Sequence, residues 1–356
     1  MIRLVFSIVF CAVCNAPVCS ADTGGGLSLS VGSFNPSTGA SVTVTYNVAV
    51  PQAVTLRVYD PDQALVRTLL RDVERDQGEH TVSWDGKDDA GTIVPNEAYT
   101  FVVEGSKGLL ADPWTVSGGV VEDILDAVFD PSDDTVRYDL PQPARVLIRL
   151  GVKNGPLYKT LVDWEPRVGG RVTEYWNGRD ENQLFDLRAH KDFTALITYV
   201  TLPQATVVTF GNKNISYPRY KREVAEGRAL KVQRPWRGPA MLLRPANLVP
   251  PHWVDAPVPS MKFPDHQEGA PVGERLKVRV DVSDIDRDVL ADDQYEIIFY
   301  VNDIFFGEAE RGHLPFNWVW ELHQFPKGRH RLTVNISSAK GMIGVVSRNI
   351  TVGGKN

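Results

Sequence analysis

The stretch Trp84-Asp85-Gly86-Lys87-Asp88-Asp89 recurs about 92 residues later as Trp176-Asn177-Gly178-Arg179-Asp180-Glu181. Each copy ends an aromatic-rich strand pattern and enters a polar turn. A strand-and-turn pattern that returns in matching surroundings marks a folding unit copied in tandem. The sequence therefore predicts at least two structurally equivalent units.

The residues around the two copies agree as well. Apolar residues alternate with other residues through Val54, Leu56 and Val58 in the first copy, and the same spacing occurs about 92 residues later. Because side chains of a strand alternate between its two faces, this period of two predicts half-buried strands. We expect large inward-facing aromatic residues to anchor the cores, namely Tyr46, Trp84, Tyr138, Trp176 and Trp318.

Six or seven short strands within about 80 residues, separated by turn residues, are typical of a β-sandwich. A third group of strand patterns follows near the C-terminus, for example at 276–282 and 295–301. The predicted fold class is all-β, with tandem immunoglobulin-like sandwiches joined by a Pro-rich connector. The predicted boundaries are 27–106 and 119–201 for the first two domains, 202–268 for the connector and 269–353 for the third domain.

The first unit resembles a known family. The motifs that carry this resemblance are Leu56-Arg57-Val58-Tyr59-Asp60, Trp84-Asp85-Gly86-Lys87-Asp88-Asp89-Ala90-Gly91 and Ala98-Tyr99-Thr100-Phe101. They are similar to the immunoglobulin-like domain of flagellar hook-capping proteins, a family that also occurs as small β-domains in many secreted bacterial proteins. The resemblance implies a β-sandwich and little about function.

The other two units carry related resemblances. The second unit resembles the same family but has Asn182-Gln183-Leu184-Phe185 where the first has an Ala-Gly turn. The last 85 or so residues, through Phe299-Tyr300-Val301-Asn302-Asp303 and Leu314-Pro315-Phe316-Asn317-Trp318, resemble a bacterial immunoglobulin-like family that repeats in surface and secreted proteins.

Residues 1–21 have the pattern of a signal peptide: the basic residue Arg3, an apolar run from Leu4 to Val13, and small residues before Asp22. The apolar run is shorter than the roughly 20 residues that a membrane-spanning helix needs. We expect an exported protein, in the periplasm, on the outer surface or outside the cell, with no transmembrane segment after cleavage.

All three cysteines, Cys11, Cys14 and Cys19, lie in this segment. Cleavage after Ala21 leaves a chain without thiols, which excludes disulfides, thiol nucleophiles and zinc-ribbon sites from the mature protein. Lipid anchoring at Cys19 stays open as an alternative.

The connector combines many prolines with positive charge. Prolines lack the backbone donor that a regular ladder requires, so we expect an extended segment against its neighbours. Residues 213–244 contain nine basic and two acidic residues, whereas the whole chain has a net charge of −6. An acidic partner is one interpretation of this basic strip, and a solvated connector is the other. The candidate contact residues are Arg219, Lys221, Arg222, Arg234, Trp236 and Arg237.

Chemistry is sparsely indicated. Asp284, Asp286 and Asp288 are calcium candidates because clustered carboxylates can supply oxygen ligands. The acids after each tryptophan invite the same hypothesis, and turn formation is the alternative for both groups. The chain lacks the G-x-S-x-G, H-E-x-x-H, phosphate-loop and dinucleotide motifs. We therefore predict no catalytic residue and no cofactor.

The sequence favours a non-enzymatic scaffold or adhesion protein at the bacterial envelope or outside the cell. Its partner would be another exported or envelope protein, with the basic connector as one candidate contact, and a glycan is the other candidate. The acidic net charge disfavours nucleic acid. Two alternatives stay open: an accessory carbohydrate-binding protein, and a non-catalytic subunit of an exported redox or enzyme complex.

Overall fold

The computed structural model describes residues 26–111, 119–203, 205–217, 219–221, 223, 256–267, 269–291, 294–339 and 341–353. The predicted signal peptide, its three cysteines and residues 224–244 of the basic strip lie outside this part of the chain. The described residues form a series of β-sandwiches, which confirms the predicted fold class.

The first unit contains two packed sheets. Strands β1, β3 and β6 form one sheet, and β4 pairs with β5 and β7 in the other. Alternate residues of β3, from Val42 to Val48, are buried. The strands are β1 (Leu27–Leu29), β2 (Ser33–Phe34), β3 (Val42–Val48), β4 (Gln52–Tyr59), β5 (Leu65–Arg75), β6 (Gly78–Trp84), β7 (Ala98–Gly105) and β8 (Gly108–Ala111).

The second unit repeats this plan. Strand β11 pairs with β14 as β3 pairs with β6, and β12 lies between β13 and β15 as β4 lies between β5 and β7. The strands are β9 (Val121–Asp123), β10 (Val128–Asp130), β11 (Thr135–Leu140), β12 (Ala144–Val152), β13 (Leu157–Arg167), β14 (Gly170–Tyr175) and β15 (Phe193–Thr201).

The repeated turn has the same hydrogen bonds in both units. The indole Nε1 of Trp84 donates to the carbonyl of Lys87, and that of Trp176 donates to the carbonyl of Arg179, each at 2.9 Å. The turn glycines have positive φ angles, 71° at Gly86 in the first copy and 80° at Gly178 in the second. A Cβ at Gly86 would lie 2.4 Å from the Cβ of Pro36. Glycine is therefore required there by both conformation and space.

A buried aspartate organises each turn. Asp88 Oδ1 accepts hydrogen bonds from the amides of Ala90 and Thr92 at 2.9 Å. In the second copy, Asp180 Oδ1 accepts from the amides of Leu184 and Phe185 at 2.6 and 3.0 Å. Both carboxylates are almost completely buried. Asp88 and Asp180, two of the acids that suggested calcium, are thus bound by backbone donors of their own loop.

In the first unit, the sheet that contains β4, β5 and β7 is completed by a strand from beyond the second unit. Strand β16 (Thr206–Thr209) pairs antiparallel with β7 and parallel with β2. Its Val207 is fully buried in the first core. This differs from the expectation of no regular ladder after Leu202. The physical reason is that Thr206, Val207, Val208 and Thr209 all keep their N–H groups, and no proline lies between Pro203 and Pro218.

The third unit begins inside the predicted connector, because β17 (Ser260–Lys262) pairs with β18 (Arg275–Asp281). Its sheets are β17-β18-β21 and β20-β19-β22-β23. The remaining elements are the helix α1 (Asp284–Ala291) and the strands β19 (Tyr295–Val301), β20 (Ile304–Ala309), β21 (Phe316–Glu321), β22 (Gly328–Ser338) and β23 (Ile343–Val352).

The described residues contain a hydrophobic core in each unit. Tyr46, Trp84, Tyr138 and Trp176 are all buried. In the third unit the expectation is corrected: Trp318 is half-buried at the edge of the core, and Trp320, two residues on along the same face, is fully buried.

Trp84→Ala is expected to lower the free energy of unfolding of the first unit by about 3–5 kcal/mol. Trp84 is fully buried, and its ring centroid lies 5.2 Å from that of Tyr99 and 5.7 Å from that of Phe101. Urea unfolding of the mature chain followed by circular dichroism measures the loss. Tyr175→Ala is the control, because Tyr175 is 80% exposed. Equal stability of the two variants would contradict this account of the core.

Val207→Asp is expected to destabilise the first unit by about 3 kcal/mol or more, because it places an unpaired charge in an apolar core. Faster hydrogen exchange at the β7 amides, which lie more than 100 residues before Val207 in the sequence, measures the effect. Phe210→Asp, at a half-exposed position just after β16, should leave exchange nearly unchanged. Unchanged β7 protection in the Val207 variant would show that β16 does not complete the sheet.

Candidate functional site

The first two units are joined by a buried ion pair. Arg145 Nη2 of β12 lies 2.5 Å from Glu97 Oε1, just before β7, and the side chains are 3% and 5% exposed. Arg145 Nη1 also donates to the carbonyl of Trp164 at 2.7 Å, and the amide of Ala98 donates to Glu97 Oε1 at 2.6 Å. Because removing either charge leaves the other buried without its partner, the pair fixes how the two units meet.

Burial raises the pKa of Glu97, and the positive charge of Arg145 opposes that increase. Burial likewise raises the pKa of Asp60, where the nearby Lys221 ammonium acts in the opposite direction. These two carboxyls lie at the same end of the first unit, and the charge of Asp60 raises the pKa of Glu97 further. This end of the unit is therefore a desolvated polar region rather than a solvent-facing loop cluster.

The start of the connector docks on this region. The described residues 217, 219–221 and 223 are helical. Lys221 Nζ lies 2.7 Å from Asp60 Oδ2, and the Tyr217 hydroxyl donates to Asp62 Oδ2 at 3.0 Å. The Tyr220 hydroxyl donates at 3.0 Å to Asp88, the aspartate that organises the Trp84 turn. The connector is thus anchored to the first unit before the basic strip continues.

The second and third units meet at an aromatic and charged cluster. The Arg331 guanidinium of β22 lies 3.6 Å from the Phe185 ring centroid and 4.9 Å from that of Tyr158. Arg331 Nη2 donates to Asp303 Oδ1 at 2.7 Å, and Arg331 Nε donates to the Tyr158 hydroxyl at 2.8 Å. The Tyr158 hydroxyl in turn donates to Asp303. These contacts satisfy the arginine with partners from both units.

A second row of polar contacts extends this junction. The Leu157 amide donates to Asn335 Oδ1 at 3.0 Å, and Asn335 Nδ2 donates back to the Leu157 carbonyl at 2.9 Å. The Ser347 amide donates to Asn182 Oδ1 at 2.5 Å. Asn335 and Ser347 are buried on the outward face of the third unit's sheet. Their burial indicates that the second unit covers this face.

The candidate contact residues of the basic strip are only partly described. Arg219 is exposed and pairs with Glu223. Lys221 is 16% exposed because it pairs with Asp60 and Asp62, so a partner could bind it only by breaking that contact. Arg222, Arg234, Trp236 and Arg237 lie outside the described residues.

The calcium candidates are placed on a helix instead of an interstrand loop. Asp284, Asp286 and Asp288 belong to α1, and the neighbouring Asp281 is bound by Arg287 at 2.7 Å. Within the described ranges, no three His, Cys, Asp or Glu side chains come together in a way that could hold a metal ion. Nor do these ranges contain a helix long and apolar enough to cross a bilayer.

Sequence reasoning did not identify the junction residues. Glu97 and Arg145 are 48 residues apart in sequence, and Asp303 and Arg331 are 28 residues apart. No local pattern distinguishes these four from other charged residues. One signal was present: the second unit departs from the family pattern at residues 182–185, and Asn182 and Phe185 both contact the third unit. A local departure from a repeat was the mark of an interface.

Together, the sheets and junctions define a tandem array of immunoglobulin-like β-sandwiches. Residues 33–108 match the model of the FlgD Ig-like domain family, which confirms the resemblance predicted for the first unit. The match covers part of the chain, and the family assignments of the second and third units stay predictions. None of the curated proteins matches the chain.

Similar solved structures include an endo-β-1,4-mannanase from Thermotoga petrophila, with 15% identity and a TM-score of 0.23 over 50% of this chain and 29% of that enzyme. A structure of a bacterial ice-binding adhesin has 12% identity and a TM-score of 0.19, covering 92% and 96% of the two chains. A tetra-tandem repeat from the extending region of a large adhesion protein has 11% identity and a TM-score of 0.21, covering 93% and 75%. At these scores, none of the three carries an argument about function.

Asp303→Asn tests the junction between the second and third units. Burial tends to raise the pKa of Asp303, but hydrogen bonds from Tyr158 and Arg331 outweigh it and lower the pKa below its usual value of 3.8. A lowered pKa in the folded state means that the ionised carboxylate adds stability above pH 3.8, and that this stability is lost as pH falls through the lower folded value. We expect the variant to be less stable by about 1 kcal/mol at pH 7.

The difference from the parent chain should disappear in acid, when Asp303 is protonated in both states. Urea unfolding at pH 7 and at decreasing pH measures it. Asp265→Asn is the matched control, because Asp265 is 61% exposed and pairs with Lys277 within the third unit. A stability difference that does not change with pH would contradict the assigned role.

Proposed function

We propose that this protein is a non-enzymatic, exported structural or adhesion module that holds its binding surfaces at a fixed spacing. The observation that carries the proposal is the pair of polar junctions. The first buries Arg145 of the second unit against Glu97 of the first, and the second holds Arg331 and Asp303 of the third unit against Tyr158 of the second. Units joined by a flexible linker would keep such groups in water. Strand β16 adds a backbone connection from beyond the second unit to the first.

Export is supported by the signal-peptide pattern of residues 1–21 and places the mature chain in the periplasm, on the surface or outside the cell. A cysteine-free chain suits these compartments because no thiol is exposed to oxidation. The partner is another exported or envelope protein, and the basic strip provides positive charge for an acidic surface. The FlgD-type domain supports a structural role, since it supplies a sandwich rather than a catalytic centre.

Fixed spacing predicts narrow distance distributions between the units. The mature chain has no cysteine, so spin labels can be attached at Glu79→Cys, Lys191→Cys and Lys327→Cys, one in each unit. Double electron–electron resonance on the pairs 79/191 and 191/327 should give a distance distribution with a single narrow peak for each pair. Arg145→Met should broaden the first distribution and Arg331→Met the second, because each removes the charge that orients a junction.

Each junction variant is the other's control, since Arg145→Met should leave the 191/327 distance unchanged. Broad distributions in the parent chain would overturn the spacing proposal. Partner binding is tested by crosslinking the tagged mature chain in native envelopes, with the basic residues of 213–244 neutralised in a second sample. Recovery of the same partner from both samples would show that the basic strip is not the contact.

A further inference from the structure

A groove opens along one side of the third unit, between the edge strands of its two sheets. Strand β17 is the edge of one sheet and β23 the edge of the other. The groove has a volume of about 310 Å³, and its lining includes Lys262, Phe263, His266, Arg348 and Asn349. This volume is at the lower end of the range for small-ligand sites, so it suits one or two residues of a larger partner.

Two cations in this groove have no acidic partner in the described part of the chain. Lys262 and Arg348 are both exposed, and neither forms an ion pair there, whereas the nearby Lys277 and Arg279 pair with Asp265 and Asp281. In a chain with a net charge of −6, two such cations facing one concave site make a local attraction for a carboxylate.

The backbone of β23 also has unused hydrogen-bonding groups at this place. Asn349 lies opposite Arg331 in the ladder with β22. The Arg331 carbonyl accepts from the Asn302 amide at 2.9 Å, on the β19 side. Since backbone groups of an antiparallel strand alternate between its two edges, Arg331 and Asn349 form a non-hydrogen-bonded pair. The N–H and C=O of Asn349 therefore point away from β22, towards the open edge.

Contacts on either side limit the open stretch. Towards the C-terminus, the Val272 amide donates to the Thr351 carbonyl at 2.7 Å and the Val272 carbonyl accepts from Gly353 at 2.9 Å. Towards the N-terminus, the Ser347 amide donates to Asn182. Between them, no described residue binds the backbone groups of Asn349. Among the described residues, this sheet edge thus has one position whose backbone donor and acceptor, at strand spacing, pair with nothing.

We propose that this groove binds a short extended segment of a partner protein that carries an aspartate or glutamate. Its backbone pairs with the N–H and C=O of Asn349, as Val272 pairs further along the edge, and its carboxylate lies between Lys262 and Arg348. A peptide fits better than a glycan because the vacant donor and acceptor have the spacing of a strand. The ring of Phe263 is half-buried and packs at an angle against His266, which leaves only part of it for stacking on a sugar. The inference rests on the proposed function only in that the partner is a protein.

The test uses the mature chain and a fluorescent pentapeptide, Thr-Val-Glu-Val-Thr, acetylated and amidated to remove its terminal charges. Fluorescence polarisation should show binding of this probe and about tenfold weaker binding of the Thr-Val-Gln-Val-Thr analogue. The double variant Lys262→Gln/Arg348→Gln should bind the glutamate probe about tenfold more weakly. Lys327→Gln/Arg329→Gln removes the same charge from exposed positions outside the groove and should bind like the parent.

Asn349→Pro separates backbone pairing from charge. Proline removes the outward N–H without breaking the ladder to β22, so the fold should survive, as unchanged circular dichroism would verify. Binding should fall about tenfold in this variant and stay unchanged in Asn349→Ala, which keeps the backbone donor. Equal binding of the two peptides would overturn the proposal, and so would full binding of the glutamate probe by the double variant. Binding of oligogalacturonate without binding of either peptide would overturn it as well. None of these results depends on the distances between units, so the spacing proposal is tested separately.

Discussion

The burial of one indole in each of the first two units constrains much of their structure. Burying a tryptophan in an apolar core without a desolvation penalty requires an acceptor for its N–H. Trp84 and Trp176 meet this requirement through the carbonyl three residues ahead. That carbonyl is reached only if the chain turns sharply at a glycine, and the buried Asp88 or Asp180 then binds the amides of the same loop. The recurring hexapeptide is thus the set of residues that lets a large aromatic ring be buried.

The same loop shows how a copied unit can gain a new contact. In the first unit, Ala90 and Gly91 make a short exposed turn. In the second unit, the aspartate still holds the loop, but the residues after it include Asn182 and Phe185, which bind the third unit. The loop retains its internal support, so its outer residues are free to change. Divergence between the copies is therefore located where the two units have different neighbours.

The sequence predicted those parts of the fold that depend on local patterns. Alternation through Val54, Leu56 and Val58 indicated a strand, and the repeated tryptophans indicated equivalent cores, because both signals need only neighbouring residues. The sequence placed Asp284 in a stretch between strands, whereas the structure has a helix of eight residues there. So short a helix offers only about two turns of pattern. Trp318 was preferred to Trp320 because alternation gives the face of a strand and not the depth of each residue. Pairs such as Glu97 with Arg145 depend on how whole units pack, and one sequence contains no signal of that contact.

The sheet of the first unit is complete only after β16, which lies beyond the second unit in the chain, has been synthesised. Val207 is part of the first core, yet about 95 residues, including the whole second unit, are made between β8 and β16. Until then, β8 pairs with β7 only from Val103 to Gly105, and the stretch from Ala98 to Thr100 lacks its neighbouring strand. An exposed strand edge can pair with another chain. The gap closes when residues 206–209, which follow the second unit in the chain, pair with β7. The buried Glu97, next to β7, then meets both Arg145 of the second unit and the amide donors of its own strand. The position of β16 therefore ties completion of the first unit's sheet to a segment that follows the second unit, although each unit resembles an independent domain in sequence.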